Sequence, residues 1–428
     1  MCNKLTKKLK KQYYQSRLEQ NLGDIKGTWK VIKDVCDLNK VNKSPKEIFS
    51  LGTDPTDSLD RINNYFTSIG KDLAKSTLFK SNCREEELVS KVLSNKAPCS
   101  SLTFCPTDPI EVRGILAGFK TDSAPGWDNI NSKVLKLNRD ILCEPIAHMC
   151  NLSISSGVFP SVFKKAVVIP VHKSGDRSLP TNYRPISLLS SLSKIIEKLV
   201  NKRLVGFLES NNLLSENQFG FRAKKSTGDA VMRLTSLING YLDRGERCIG
   251  VFLDLQKAFD TVSVPILISR LQNKGVRGVP LEWFQDYLSA RNQRIRIDNC
   301  FSNESVCTYG IPQGSTLGPT LFLLYMDSLC ELNINGADLT MFADDTVCVL
   351  CRGATWDSVK KTCEDGMATV AAWLEDNLLT LNTAKTIYVS IKMLGPIRST
   401  RTVLKYTLTR VTEPKTLDWN DKSVVVPT

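Results

Sequence analysis

Apolar residues at Leu59, Ile62, Phe66, Ile69 and Leu73 recur every three or four positions, which predicts an amphipathic helix following the polar, proline-punctuated stretch from Ser44 to Pro55. The first 120 or so residues therefore read as helices and linkers. The pattern changes at Ala166, where a short apolar run to Val171 meets the turn Lys173-Ser174-Gly175-Asp176, and a second extended piece covers Asn182 to Leu188. A basic β-hairpin is expected there. Leu189, Leu192, Ile196, Leu199 and Val200 then form one stripe, with Lys194, Lys198 and Lys202 off it, as in a helix packed on a core. Cys248 to Leu253 is a continuous apolar run ending in Asp254, followed by a helix-compatible stretch containing Ala258 and Phe259. Leu339 to Ala343 and Thr346 to Leu350 are two strand-like runs joined at Asp344-Asp345.

Composition narrows what such a chain does. With 428 residues, 42% hydrophobic and 24% charged, it carries ample apolar material for packed domains. No apolar run approaches the roughly 18 residues needed to span a bilayer, and the lysine-rich start lacks the apolar centre of a signal peptide, so an intracellular protein is expected. Fourteen cysteines in a long chain of this kind are read as reduced and packed. The balance of 57 basic against 44 acidic residues, net +13, favours a polyanionic partner. Residues 1–50 hold 12 basic and 5 acidic residues, so more than half of that excess is concentrated there.

Two adjacent carboxylates between apolar neighbours, Asp344 and Asp345 in FADDTVCVL, raise each other's proton affinity unless a cation or donor compensates. Aspartates also suit hairpin turns. Asp254, a third carboxylate at the end of another buried-looking strand, shifts the balance: if the two strands are neighbours, the carboxylates share one edge and can hold hard divalent cations. Two such ions would activate an attacking hydroxyl and stabilise a leaving phosphate oxygen, which points to nucleotidyl transfer. Asp260, past the strand end, reads as a helix-start or salt-bridge residue. The loop GIPQGSTLGPTLF, residues 310–322, can bring backbone N–H groups close to a substrate. Cys348 and Cys351 have the spacing of a zinc half-site, but three apart in a strand they face opposite sides.

Taken in order, NYRPISLLSSLSKIIEKLVNKRL, ENQFGFRAKKST, FLDLQKAFDTV, GIPQGSTLGPTLFLLYMDSL, FADDT and LNTAKT resemble the reverse transcriptases of non-LTR (LINE-type) retrotransposons, over residues 120 to 390. The resemblance implies a right-hand polymerase of the α+β class: fingers and palm within residues 121–395, an antiparallel palm sheet, and a basic helical extension over 1–120. Residues 396–428 would be a divergent tail holding at most a primer-grip remnant in VTEPKTLDW, with the thumb missing or incomplete and no endonuclease domain in front. It implies that Asp254, Asp344 and Asp345 bind two Mg2+ ions, with Mn2+ as a substitute. Phe259 would sit beneath the sugar of the incoming nucleotide and exclude a 2′-hydroxyl; otherwise it is a core phenylalanine. Gln313 and Gly314 would touch nucleotide and template. Arg184 and Lys173 would cover the triphosphate, with Lys164, Lys165 and Arg177 as nearby alternatives to Lys173. Lys385 would protonate or neutralise the pyrophosphate, or else is a surface lysine. The implied partners are an RNA template, a DNA primer and deoxynucleoside triphosphates, without a membrane, in nucleus and cytoplasm. A decayed copy that binds nucleic acid without polymerising, and a two-metal nuclease, are the alternatives.

Overall fold

The computed structural model describes residues 2–36, 45–93, 100–343, 346–394 and 403–410. The chain divides into two compact units, Met1–Lys46 and Glu47–Thr428. The first contains helices α1 (Cys2–Gln20) and α2 (Ile25–Val35), joined by a 2.9 Å ion pair between Arg17 and Asp34. The second contains α3 (Pro55–Ser81), α4 (Glu85–Val92), α5 (Pro109–Ala117), α6 (Ser132–Leu137), α7 (Arg139–Ser156), α8 (Ser191–Ser210), α9 (Thr227–Asp243), α10 (Val264–Asn273), α11 (Val279–Leu288), α12 (Gly318–Met326) and α13 (Trp356–Asp376). Its strands are β1 (Lys165–His172), β2 (Tyr183–Leu188), β3 (Arg247–Leu253), β4 (Arg291–Ile297), β5 (Cys300–Phe301), β6 (Ser305–Cys307), β7 (Ala337–Phe342), β8 (Thr346–Gly353), β9 (Ile387–Leu394) and β10 (Val403–Arg410). The fold is α+β.

The expected stripe forms α3, which Asp54 caps through Asp57 N–H, with Pro55 pre-set for the first turn. Leu59, Ile62 and Phe66 are buried with Val168, Tyr183, Ile295 and Ile297 of the first sheet. The expected hairpin is β1–β2, running antiparallel from Val167 opposite Leu188 to His172 opposite Tyr183, and β4 lies parallel on the other side of β1. The apolar stripe after it forms α8, with Ile196, Leu199 and Val200 buried.

The second sheet has the order β10-β9-β3-β8-β7 with every neighbouring pair antiparallel. Its main core side takes α10, α12 and α13; α12 is buried almost throughout, as its unbroken apolar run requires. Tyr241 of α9 packs with Cys248 and Leu350 on the other side. Cys348 lines an apolar groove with α9 residues, whereas the Cys351 thiol meets that of Cys363 on α13, so the two cysteines do face apart. Beyond the expected domain core, β10 extends the sheet next to β9.

One local expectation is corrected. The stretch after Asp254 is a turn, and helix begins only at α10, because Gln256 N–H is committed to Thr380 O, Lys257 takes a positive φ of 48°, and Ser263 caps a first turn containing Pro265. Among the described residues, no helix is long and apolar enough to cross a membrane.

Candidate active site

β3 ends at Leu253, opposite Val347, so Asp254 leaves the second sheet at the edge where β7 ends and β8 begins. Asp344 and Asp345, the other two predicted carboxylates, lie outside the described residues. Among the described residues no group of three His, Cys, Asp or Glu side chains gathers as a metal cluster. The residue before the pair is held firmly: Ala343 N–H donates to Oε1 of the fully buried Gln218, which also accepts from Gly220 N–H. Phe219 N–H donates to Met341 O and Met341 N–H to Asn217 O, so the ENQFG segment runs alongside β7. Gly220 has no room for a side chain, since a Cβ there would lie 2.1 Å from Ala343 N.

Asp254 is anchored from the segment before β9. Asn382 N–H donates to Asp254 O at 2.8 Å, and Asn382 Nδ2 donates to Asp254 Oδ2 at 2.6 Å. Lys385 Nζ stands 3.8 Å from the same Oδ2. Leu255 forms a bridge with Leu381. The LNTAK sequence thereby does two things: its asparagine orients the carboxylate and its lysine supplies the opposing charge.

A cavity of about 570 Å³ opens in front of Asp254. It gathers Lys173 and Arg184 from the β1–β2 hairpin, Asp254 and Phe259 from the end of β3 and its turn, Gln313 from the glycine-rich loop, and Lys385. Thus six of the nine predicted residues line one space. Gly314 adjoins it, with φ +118° and its α-carbon against Ser187 O, where a Cβ would approach to 2.7 Å. Phe259 lines the cavity, and its ring stacks on Phe322 of α12 with centroids 4.6 Å apart and planes inclined by 18°.

The electrostatics are those of an anion site. Burial pushes the Lys173 ammonium below its ordinary pKa, and the neighbouring charges of Lys385 and Arg184 push it further. Lys257, which the sequence reading passed over, is also lowered by burial; its Nζ donates to Thr181 O at 3.1 Å and Tyr183 O at 3.3 Å, bracketing the segment that presents Arg184. It stands 5.8 Å from the centre of the Tyr65 ring, and Tyr65, Ile69 and Leu73 of α3 complete the cavity wall.

Two further residues escaped the sequence. Asp260 was expected to start a helix or pair with a cation; its carboxylate instead accepts from Gln313 Nε2 at 2.7 Å, and burial pushes it up to about 6. Glu197 of α8, fully buried, accepts from Thr316 N–H at 2.6 Å and Leu317 N–H at 3.4 Å, and so anchors the segment that leads into α12.

An antiparallel sheet that ends in a carboxylate beside a cation-lined cavity has the charge and shape to take an anionic ligand together with a cation. The family model described as "Reverse transcriptase (RNA-dependent DNA polymerase)" matches residues 171–398. The chain belongs to that family, and within it resembles the polymerases of non-LTR retrotransposons. It is 34% identical over 307 residues to the "Probable RNA-directed DNA polymerase from transposon BS" of Drosophila melanogaster, covering 68% of this chain and 33% of that protein. The corresponding protein from transposon X-element of the same species is 31% identical over 299 residues, covering 68% and 32%. The "RNA-directed DNA polymerase from mobile element jockey" is 28% identical over 319 residues, covering 72% and 34%. The chain therefore spans about a third of the length of these curated relatives.

Proposed function

We propose that this chain is an RNA-directed DNA polymerase that transfers deoxynucleotides from their triphosphates to a primer 3′-hydroxyl on an RNA template. In this reading the first sheet belongs to the fingers and the second to the palm. The observation that carries it is the convergence of Lys173, Arg184, Asp254, Phe259, Gln313 and Lys385 on one cavity, from segments up to 212 residues apart, 385 − 173. Cations without enough opposing charge, gathered in a partly buried space, suit a polyphosphate and make poor structural sense otherwise.

Arg184 and Lys173 bind the triphosphate, the guanidinium through paired hydrogen bonds. Phe259, backed by Phe322, presents a rigid ring where a 2′-hydroxyl would fall. Lys385, beside Asp254, holds a proton close to the departing pyrophosphate. Asp254 fits a ligand for a hard divalent cation: it lines the cavity, and its side-chain partners Asn382 and Lys385 both engage Oδ2. Asp344 and Asp345 complete the proposed ligand set for two Mg2+ ions, which supply Lewis-acid stabilisation of the phosphate oxygens when bound.

Primer extension by the full chain on an RNA template with Mg2+ tests the reading. Extension is expected, and Asp254→Asn, Asp344→Asn or Asp345→Asn should each reduce it by roughly a hundredfold or more, the scale of losing a preorganised electrostatic contact. An inactive wild-type chain, an Asp254→Asn variant that extends normally, or cleavage of the nucleic acid in place of extension would each overturn it.

A further inference from the structure

Helix α9 is fastened to the second sheet at one end. Of its 17 residues, Tyr241 and Leu242 in the last turn are buried, whereas Val231 near its start is 60% exposed. Tyr241 packs with Cys248 and Leu350 and donates its hydroxyl to Asp338. Nearer the start of α9 the sheet presents another row, in which Thr340 of β7, Cys348 of β8 and Phe252 of β3 stand side by side. Between that row and Ala230, Val231 and Leu234 lies a pocket of about 170 Å³. Small side chains on both sides create it, Ala230 on the helix and Thr340 and Cys348 on the strands.

One polar atom of this pocket is unmet. Leu339 and Met341 belong to the main core, so Thr340 between them points to the α9 side of the sheet. It is 6% exposed, and among the described residues its Oγ1 has no hydrogen-bond partner. A hydroxyl buried in that state has lost its water without replacement, which is unfavourable and calls for a partner from outside the chain. The rest of the lining selects against charge. None of the described residues that line the pocket is an ionised group, and burial pushes the Cys348 thiol up to about 12, so it stays neutral. Size narrows the ligand further: an apolar cavity of about 150 Å³ admits benzene, and here Phe252 and Phe342 offer ring contacts as well.

We propose that this pocket is a binding site for a neutral molecule with one aromatic ring and one hydrogen-bonding group, the ring lying between α9 and the sheet and the polar group meeting the Thr340 hydroxyl. The site shares no lining residue with the cavity in front of Asp254, and the inference does not rest on the polymerase reading. A ring held there joins the loosely covered start of α9 to the sheet.

Para-fluorophenol and fluorobenzene, titrated separately into the full chain and followed by fluorine NMR, test the site. Both are expected to bind, the phenol more tightly. Thr340→Val keeps the shape of the side chain and removes its hydroxyl, so it should lower the affinity ratio of the phenol to fluorobenzene about threefold to tenfold, the span of one net hydrogen bond. Ala230→Leu fills the pocket from the helix side and should weaken both compounds about tenfold or more, with a urea midpoint at or above that of wild type, which separates filling from misfolding. Hydrogen exchange over residues 227–234 should slow when the phenol is bound. No binding of either compound, an unchanged ratio in Thr340→Val, or undiminished affinity in Ala230→Leu would each overturn the inference. So would a lower urea midpoint for Thr340→Val without ligand, since the hydroxyl would then already have a partner inside the chain.

Discussion

Replacing Glu197 should loosen the glycine-rich loop and with it the cavity wall 119 residues away along the chain. The carboxylate has no exposure, accepts from Thr316 N–H at 2.6 Å, Leu317 N–H at 3.4 Å and Ser193 Oγ at 2.9 Å, and is drawn towards the charged form by Arg291, itself only 4% exposed. Burial pushes its pKa up, and these contacts oppose that shift. Glu197→Ala removes the acceptor for two main-chain N–H groups, opens a cavity and leaves Arg291 without this carboxylate, a combination that costs about 3–5 kcal/mol. Glu197→Gln keeps the shape and one acceptor oxygen, and the Ser193 hydroxyl can turn to accept from the new amide. Only the charge is lost, and because burial of that charge outweighs its contacts the variant should lie within about 1 kcal/mol of wild type. Urea unfolding followed by tryptophan fluorescence, with Trp283 fully buried as a reporter, gives the two free energies. Hydrogen exchange of the peptide covering residues 310–322 should quicken in both variants, more in the alanine. An alanine variant within about 1 kcal/mol of wild type, or a glutamine variant as unstable as the alanine, would refute the reasoning. The second result would mean that the buried charge, and not the acceptor oxygens, holds the loop.

Phe259→Val should raise incorporation of ribonucleotides relative to deoxynucleotides in primer extension, and should destabilise the chain by about 1–3 kcal/mol through the lost stack on Phe322; an unchanged sugar ratio with activity retained returns the residue to the core. Lys257→Met keeps the buried stem but removes the donors to Thr181 O and Tyr183 O, so it should cost about 1–2 kcal/mol in urea unfolding and raise KM for the nucleotide, because the segment carrying Arg184 loses its tether; an unaltered KM would separate the tether from the site. Asp260 binds its proton more tightly folded, at about 6, than unfolded, near 3.8, so its contribution to stability is greatest below pH 4 and is lost as pH rises towards 6. The loss is at most about 3 kcal/mol, and the difference between wild type and Asp260→Asn across that interval measures it.

What was legible in the sequence is what periodicity and order encode. The stripe of α3, the β1–β2 hairpin, the stripe of α8 and the β7–β8 pair each repeat a local pattern that burial on one side imposes. Motif order singled out residues that come together in space: six of the nine proposed for the site line one cavity although they belong to separate short segments. The turn after Asp254 was misread because Ala258 and Phe259 satisfy a helical pattern, while the terms that decide it are a hydrogen bond to Thr380 and a cap at Ser263, neither of which leaves a periodic trace. The supports of the site were illegible for the same reason. Gln218, Glu197 and Lys257 each engage main-chain N–H or C=O groups of distant segments, and a backbone group has no residue type to recognise.

Those supports explain how cations from separate segments can be kept together at all. Lys173, Arg184, Lys257 and Lys385 bring like charge into one space, where burial penalises the Lys173 and Lys257 ammonium groups, and Asp254 offsets the charge of Lys385 at 3.8 Å. Left to their own interactions, the β1–β2 hairpin and the segment before β9 would draw apart. They are held by contacts that do not depend on the ligand: Lys257 to the hairpin carbonyls, Asn382 to both the carbonyl and the carboxylate of Asp254, and Ser187 to the Gln313 carbonyl. The repulsion is thus stored against main-chain hydrogen bonds, and in the proposed polymerase reading a polyphosphate would relieve it without first having to assemble the site. That order of events is what preorganisation requires, since the cost of gathering the charges is met during folding and not at the moment of binding.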